Sequence, residues 1–289
     1  MSFRSGDVSC AAWRFDPPGA ASPRPCIVMA HGFSLTRHDS LTQYAELLAA
    51  AGAVVLAFDY RHLGDSDGEP RQHYRTQLQL QDWRAAVLAA RRLPGVDPDK
   101  IVLWGFSFGG SHAVATAAVA DGRVAATIAL CPFLDGLARV LSTSPRNIAW
   151  LVPRAVLNLF GARNTVPVTD QPGARAAMTL PGEADGFAAV VTPGSPWRNA
   201  IAPGLFLTLA LHRTARLGRK IPGPLWVGLG ERDVTVSAKA IRRLAAGAPA
   251  GELRTYPEDH FSVFRPEVVD RIAADQIAFL RGRGILVAL

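Results

Sequence analysis

Short apolar runs alternate with longer helical patterns along most of this chain, and that alternation constrains the fold more than any other feature. The predicted strands are residues 25–30, 53–60, 100–104, 124–131, 224–230 and 251–257. The predicted helices are residues 39–51, 75–92, 107–120, 237–246 and 267–281. Successive strands separated by helices need crossover connections, which favour a parallel arrangement. The sequence therefore predicts an α/β fold with a mostly parallel central sheet flanked by helices.

The alternation breaks between residues 134 and 220, a stretch with many prolines and glycines. Apolar helical segments occur inside it, at residues 147–160 and 205–213. Because an interruption of this length is far too long for a simple loop, we interpret residues 134–220 as an inserted helical cap over the strand ends. Residues 1–133 and 221–289 then form the core. The alternative is that the helices of the insertion belong to the core of the main domain.

The formal net charge of +7 comes almost entirely from arginine. A basic balance is compatible with binding to nucleic acid or to an anionic membrane. However, no run of five or six basic residues occurs in the sequence. We therefore expect the charge to be spread over the surface and expect no nucleic-acid partner.

Cysteine usage and hydropathy indicate the cellular setting. Cys10, Cys26 and Cys131 form an odd, widely spaced set, which is typical of neither a disulfide framework nor a zinc site. The sequence shows no metal cluster and no dinucleotide motif, so neither metal nor cofactor is expected. Residues 1–15 lack the apolar stretch of a signal peptide, and no apolar run approaches ~18 residues. We expect a cytoplasmic protein without integral membrane association, and a homodimer is compatible with the sequence.

The clearest chemical motif follows the predicted strand at residues 100–104. Gly105, Ser107 and Gly109 form the pattern G-x-S-x-G between a strand and a helix. Such a turn forces the serine into strained backbone angles and lifts its hydroxyl clear of the sheet. Ser107 is therefore the predicted nucleophile.

A serine hydroxyl needs a base, and the base needs an acid to orient it. His260 is the best-placed histidine, because it follows the last predicted strand in a polar turn. Asp233, after the strand at residues 224–230, is the predicted acid, with Glu231 and Asp135 as alternatives. Asp259 is adjacent to the histidine in sequence and is expected to point elsewhere.

Two backbone N–H groups are expected to stabilise the oxyanion that forms during attack on a carbonyl. One belongs to Phe108, directly after the nucleophile. The other belongs to Phe33, in the loop after the strand at residues 25–30, where Gly32 lets the chain turn. We expect His31 in this loop to have a packing role rather than a catalytic one.

Aromatic residues near the nucleophile favour an apolar substrate group. Phe33 and Phe106 are predicted to contact it, and from the insertion Trp150 and Trp197. The insertion also supplies apolar residues that either line the pocket or form the core of the cap itself. These are Leu151, Val156, Leu159, Phe160, Phe206 and Leu209.

The order Ser107, Asp233, His260, together with the serine turn and the His-Gly-Phe loop, resembles the α/β-hydrolase superfamily over nearly the whole chain. Residues 58–72, 80–112 and 195–199 are similar to a group of esterase-like members. That group includes acetylxylan-esterase-like and dienelactone-hydrolase-like proteins and fungal polyketide transferases. The group often has glycine before the final histidine, where this chain has Asp259. The resemblance implies catalytic machinery but no particular metabolite.

Three functions remain compatible with these residues. The first is a serine hydrolase acting on a small-molecule carboxylic ester or thioester through an acyl-enzyme. The second is an acyltransferase that uses the same residues and excludes water. The third is a non-catalytic binding protein on a hydrolase scaffold, against which the intact serine, histidine and aspartate argue. A peptidase is less favoured, because no acidic anchor for an amine terminus is evident.

Overall fold

The computed structural model describes residues 1–19, 23–39, 41–120 and 124–287. Eight strands form one sheet: β1 (Ser2–Ser5), β2 (Val8–Phe15), β3 (Arg24–Ala30), β4 (Val54–Phe58), β5 (Val96–Phe106), β6 (Ala126–Leu130), β7 (Leu225–Gly230) and β8 (Gly251–Tyr256). Their spatial order is β1-β2-β4-β3-β5-β6-β7-β8. The first two pairings are antiparallel, and the other five are parallel. The predicted mostly parallel sheet is therefore confirmed.

The α-helices are α1 (Leu41–Ala50), α2 (Thr76–Ala90), α3 (Phe108–Ala117), α4 (Gly136–Ser142), α5 (Pro145–Leu159), α6 (Glu183–Val190), α7 (Ala238–Gly247) and α8 (Pro266–Gly282). Helix α1 packs against α8, and α2 packs against α3. Ser40, which the predicted helix 39–51 included, lies outside the described residues. Short 3₁₀ segments occur at Pro203–Leu207, Leu209–Leu211, Thr214–Lys220 and Ser262–Phe264.

The core lies on both faces of the central strands. Every residue of β4, β6 and β7 is buried, which explains why these strands are continuous apolar runs rather than alternating ones. Trp83, Trp104 and Trp226 are among the largest fully buried side chains. The three cysteines are also buried, and none forms a disulfide.

Strands β1 and β2 were not predicted from the sequence. They join the sheet through antiparallel pairing at one edge, and β2 is only partly buried, with Cys10 and Ala12 facing inward. A half-buried edge strand has a weaker apolar signal than a central one, so the periodicity of the sequence did not reveal it.

The segment between β6 and β7 adds no strand to the sheet. It contains α4, α5, α6 and three of the 3₁₀ segments. Helix α5 packs against the 3₁₀ segment Pro203–Leu207, and α4 packs against Leu209–Leu211. Among the described residues, no helix combines the length and apolarity that crossing a bilayer requires.

Candidate active site

Ser107 lies in the tight turn between β5 and α3. Its backbone angles are φ 53° and ψ −117°, a conformation that residues with a side chain rarely adopt. A Cβ on Gly105 would lie 2.2 Å from the carbonyl oxygen of Gly109, and a Cβ on Gly109 would lie 2.4 Å from that of His31. The turn therefore needs glycine at both positions, and it presents the Ser107 hydroxyl at the start of α3.

His260 joins the serine to a carboxylate. Its Nε2 lies 3.0 Å from Ser107 Oγ, and its Nδ1 lies 2.6 Å from Asp233 Oδ2. Because an ionised carboxylate only accepts hydrogen bonds, Nδ1 carries the proton and Nε2 is left to accept from the serine hydroxyl. The structure thus brings together the three residues that the sequence predicts as nucleophile, base and acid.

The second oxygen of the Asp233 carboxylate is also bonded. Its Oδ1 accepts from the N–H groups of Thr235 at 2.8 Å and Val236 at 3.1 Å. Of the alternative acids, Glu231 is exposed to solvent, and Asp135 accepts from a backbone N–H at the start of α4. Neither makes a recorded contact with His260.

Asp259 stabilises the turn that carries His260. Its Oδ1 accepts from the N–H groups of Phe261 at 2.9 Å and Ser262 at 2.8 Å. Burial alone would raise the pKa of Asp259, but these hydrogen bonds, the Ser262 hydroxyl and the charge of Arg265 lower it below its ordinary value. Asp259 therefore serves as an ionised cap of the turn.

Aromatic rings hold the His260 imidazole in position. Phe106 lies 4.8 Å from it between ring centroids, and Phe261 lies 5.0 Å away, edge to face. Phe106 also packs edge to face against Phe264 at 4.7 Å. Phe106 was predicted to contact the substrate, but it is 1% exposed and supports the base instead.

The two predicted oxyanion donors border the serine turn. Helix α3 begins at Phe108, so its N–H lies in the first turn, where N–H groups have no acceptor within the helix. Across the described ranges, the Phe33 N–H donates to no backbone carbonyl. A Cβ on Gly32 would lie 3.1 Å from Ser107 Cβ, which shows how closely this loop approaches the nucleophile.

A buried ionic network, which the sequence reasoning missed, holds the loop that contains Phe33. Arg37 donates its backbone N–H to Asp59 Oδ1 at 2.6 Å, and its guanidinium pairs with the same carboxylate. The Arg37 Nη2 also bonds Asp65 Oδ2 at 2.7 Å, and the Asp65 N–H bonds Asp59 Oδ2 at 3.0 Å. Asp59 is completely buried, at the carboxyl end of β4. The sequence signal that could have identified Asp59 is its position, since it is a carboxylate directly after an apolar strand.

Three histidines near the nucleophile are kept neutral by burial. Burial lowers the pKa of His31 despite the opposing charge of Asp59. Burial also lowers the pKa of His112, whose Nε2 lies 2.8 Å from an amide oxygen of Gln79. His212 packs against Phe108 with 4.9 Å between ring centroids, and burial lowers its pKa to about 4. These rings act as packing residues, as the sequence predicts for His31.

An apolar cavity of about 160 Å³ opens beside Ser107. Residues from the serine turn, the loop of Phe33, the segment between β6 and β7 and the loop after β7 form its wall. The lining residues are Phe33, Ser107, Phe108, Phe133, Arg139, Val140, Thr143, Ile148, Leu151, Val152, Ala177, Met178, Leu205, Phe206, Leu209, Ala210 and Thr235. The predicted contact Phe33 is among them. Leu151, Phe206 and Leu209, for which pocket wall and cap core were both open, also line the cavity.

Arg139 carries the single formal charge among these lining residues, and it is already paired. Its Nη1 and Nη2 bond the two carboxylate oxygens of Glu183 at 2.6 and 3.0 Å. Thr235 Oγ1 donates to the same carboxylate at 3.0 Å. Because Thr235 also binds Asp233, this pair connects α4 and α6 to the loop that carries the candidate acid. The sequence reasoning missed both charged residues.

Other predicted contacts lie away from the cavity. Trp150 packs under the guanidinium of Arg154, 4.4 Å from the ring centroid, and Trp197 borders a separate surface pocket. Val156, Leu159 and Phe160 are 38%, 61% and 82% exposed. Both alternatives stated for these last three residues, pocket wall and cap core, are therefore wrong.

At the candidate active site, a group of side chains has the composition of a metal site. Cys131, Asp233 and His260 offer ligand atoms within 4.8 Å of one another. However, the Nδ1 of His260 and the Oδ2 of Asp233 already bond each other. Burial, followed by the nearby Asp233 charge, raises the pKa of the Cys131 thiol well above its usual value. A protonated thiol beside a satisfied pair does not fit a resident metal ion.

Comparison with known proteins gives a consistent result. A model of the alpha/beta hydrolase family matches residues 27–272. The quorum-quenching protein AidA of Acinetobacter baumannii is 36% identical over 286 residues, which cover 97% of this chain and 93% of that protein.

Fungal proteins match shorter stretches. Thiohydrolase aneE of Aspergillus aculeatus is 40% identical over 40% of this chain and 36% of its own length. Polyketide transferase grgF of Penicillium sp is 36% identical over 44% of this chain and 42% of its own length. The crystal structure of alpha/beta hydrolase GrgF from Penicillium sp. sh18 aligns with a TM-score of 0.82 at 25% identity, covering 98% of this chain and 97% of that one.

Proposed function

This chain belongs to the alpha/beta hydrolase family, and from that premise we propose that it is a serine hydrolase of carboxylic esters or thioesters with an apolar group. The observation that carries the proposal is the chain of hydrogen bonds from Ser107 through His260 to Asp233, at the wall of an apolar cavity. A serine in this arrangement is an activated nucleophile.

The first half-reaction forms an acyl-enzyme. His260 Nε2 takes the proton of Ser107 while Oγ attacks the carbonyl carbon and its electron pair moves to oxygen. The N–H groups of Phe33 and Phe108 stabilise that oxyanion, each by about 3 kcal/mol. When the tetrahedral intermediate collapses, His260 gives its proton to the departing alcohol or thiol, and Asp233 stabilises the imidazolium until then.

The second half-reaction releases the acid. His260 takes a proton from water, the hydroxide attacks the acyl carbon, and the proton returns to Ser107 as the acyl group leaves. The apolar wall supports an apolar acyl or alcohol group, with residues 134–220 acting as the cap that supplies most of it. Cytoplasmic location and a homodimer remain predictions of the sequence.

Acyl transfer is the second candidate. It needs the same residues, with an organic alcohol or amine in place of water, and the similarity to a protein named polyketide transferase favours it. Product analysis separates the two functions. If an added acceptor alcohol takes most of the acyl group at a concentration far below that of water, the enzyme is a transferase.

Hydrolysis of p-nitrophenyl esters of increasing acyl length tests the proposal. We expect Ser107→Ala to lower kcat/KM by about 10⁴-fold or more, because the nucleophile is lost while binding persists. Ser111→Ala is the matched control, since it removes a hydroxyl one turn further along α3 that bonds His212 and does not line the cavity. Mass spectrometry after treatment with a fluorophosphonate should find the adduct on Ser107.

Wild-type protein as slow as Ser107→Ala on every ester and thioester, with no fluorophosphonate adduct, would contradict the proposal. The non-catalytic binding function would then be favoured. Rapid hydrolysis that survives Ser107→Ala would instead contradict the assignment of the nucleophile.

A further inference from the structure

The solvent-facing side of α5 is apolar along most of its length. We define the outer face of α5 as the five exposed apolar residues at and after its middle. They are Val152, Val156, Leu157, Leu159 and Phe160, which are 41%, 38%, 58%, 61% and 82% exposed. Single exposed apolar residues are ordinary, but a contiguous group on one helix marks an interaction surface.

The outer face is continuous with the cavity beside Ser107. Ile148, Val152, Val156 and Phe160 are spaced four residues apart, so each contacts the next along the helix. Because four residues exceed one helical turn, the row winds by about 40° per step. It therefore passes from Ile148 and Val152, which line the cavity, to the exposed Phe160. Val152 belongs to both surfaces.

The charge of the segment that carries the outer face has one sign. Residues 136–169 contain no aspartate or glutamate, whereas arginine occurs at positions 139, 146, 154 and 163. Arg139 is buried against Glu183, but Arg146 and Arg163 are exposed. The guanidinium of Arg154 lies over the ring of Trp150. Apolar residues flanked by arginine and tryptophan are typical of helices that lie in a lipid interface.

The charge of this segment also distinguishes between two surfaces that the outer face could bind, a second copy of this chain and a lipid surface. In a two-fold contact between copies of this chain, the arginines that flank the outer face would meet the same arginines of the partner, with no acidic residue in the segment to balance them. An anionic lipid surface offers both an apolar layer and the complementary charge.

We propose that the outer face of α5 binds an anionic lipid surface and that the cavity receives its apolar substrate there. The binding step is independent of catalysis, whereas substrate delivery rests on the proposed function. Insertion of Val156 and Phe160 into the interface would bring Val152, at the margin of the cavity, to the level of the lipid chains.

Sedimentation with vesicles tests the binding step. The probes are vesicles of phosphatidylcholine alone and vesicles with about one-third phosphatidylglycerol. We expect the full-length protein to sediment with the anionic vesicles. The double variant Val156→Asp/Phe160→Asp should have an affinity for them that is lower by about tenfold or more. Leu88→Asp is the matched control, because Leu88 is 55% exposed on α2 and lies outside the outer face. Ser107→Ala should sediment like wild type.

Two results would overturn the proposal. One is the absence of sedimentation with anionic vesicles. The other is binding that Val156→Asp/Phe160→Asp weakens no more than Leu88→Asp does. If wild type is a dimer in light scattering without lipid, the double variant is a monomer and neither binds vesicles, the outer face is a contact between copies of this chain.

Activity separates this proposal from the proposed function. Hydrolysis of p-nitrophenyl acetate in buffer should be equal in wild type and Val156→Asp/Phe160→Asp, since neither residue lines the cavity. A long-chain nitrophenyl ester dispersed in anionic vesicles should be hydrolysed about fivefold faster or more by wild type than by the double variant. If wild type hydrolyses neither ester, the catalytic proposal is contradicted, whereas equal rates of the two proteins on the dispersed ester contradict the delivery step.

Discussion

At the residue scale, the two carboxylate oxygens of Asp233 have different roles. Oδ2 orients the imidazole of His260, while Oδ1 accepts from the N–H groups of Thr235 and Val236 and so fixes the carboxylate plane. Thr235 in turn bonds the carboxylate of Glu183. The orientation of the candidate base therefore depends on a loop that is tied to the segment between β6 and β7.

We expect Asp233→Asn to lower kcat by about 10³- to 10⁴-fold with little change in folding. The amide can accept through its oxygen or donate through its nitrogen, and a donating amide facing Nδ1 favours the tautomer in which Nε2 carries the proton. That tautomer cannot accept from Ser107. Steady-state hydrolysis of a p-nitrophenyl ester measures the effect.

The control for this variant is Glu231→Gln, the exposed carboxylate two residues earlier. It should keep kcat near the wild-type value. Similar losses in the two variants would mean that a general change in loop charge, rather than orientation of His260, is responsible.

At the scale of secondary-structure elements, the sequence predicted what depends on local pattern. Five of the six parallel strands contain a strong apolar run, and the turn at Ser107 has a fixed glycine spacing, whereas β8 is mostly polar. The α/β alternation predicts parallel strands, so the loops after β3, β7 and β8 are expected at the same edge of the sheet. That reasoning was enough to group Phe33, Ser107, Asp233 and His260 as one candidate site.

The elements that the sequence did not predict depend on long-range contacts. Strand β2 joins the sheet by pairing with β4, which is distant from it in sequence, and β1 pairs with β2. The pairing of Arg139 with Glu183 spans 44 residues along the chain, and periodicity carries no information about it. For the same reason, the sequence did not show that Trp150 and Trp197, which were predicted to contact the substrate, lie away from the cavity.

The segment between β6 and β7 should set the acyl length that the site accepts. Ala210 lines the cavity and is only partly buried, so Ala210→Phe adds a ring to the wall at little cost to the core. We expect the preferred p-nitrophenyl ester to become shorter by about two to four carbons, since the ring excludes part of the chain. Profiles of kcat/KM against acyl length measure this shift.

Ala238→Phe, at an exposed position at the start of α7, is the matched control and should leave the profile unchanged. If Ala210→Phe lowers activity equally for all chain lengths, the acyl chain does not occupy this cavity.

At the scale of the whole molecule, protonation of buried histidines limits stability in acid. His31, His112 and His212 are neutral in the fold, and the pKa of His212 falls from 6.5 to about 4. Because folding depresses this pKa, the stabilisation is fully present above pH 6.5 and is lost as pH falls from 6.5 towards 4. Protonation is easier in the unfolded chain, where the imidazole is hydrated.

We expect the free energy of unfolding to fall between pH 7 and pH 5, with His212 contributing on the order of 1 kcal/mol. Urea denaturation at closely spaced pH values measures it. His212→Gln keeps a polar group beside Ser111 but cannot take up the proton, so its profile should be less steep than that of wild type. Parallel profiles for the two proteins would exclude His212 as a source of the pH dependence.

The order of the strands has a consequence for how the protein is made. Ser107 directly follows the central strand β5, whereas His260 follows β8, the outermost strand of the parallel portion of the sheet. During synthesis, a ribosome must therefore release nearly the whole chain before base and nucleophile can meet. A nascent chain that has folded β3 to β6 already holds the serine turn but has no means of activating it. The proposed activity would then appear only after β8 and His260 had been synthesised. A chain truncated before β8 would stay inactive even if most of its sheet had formed.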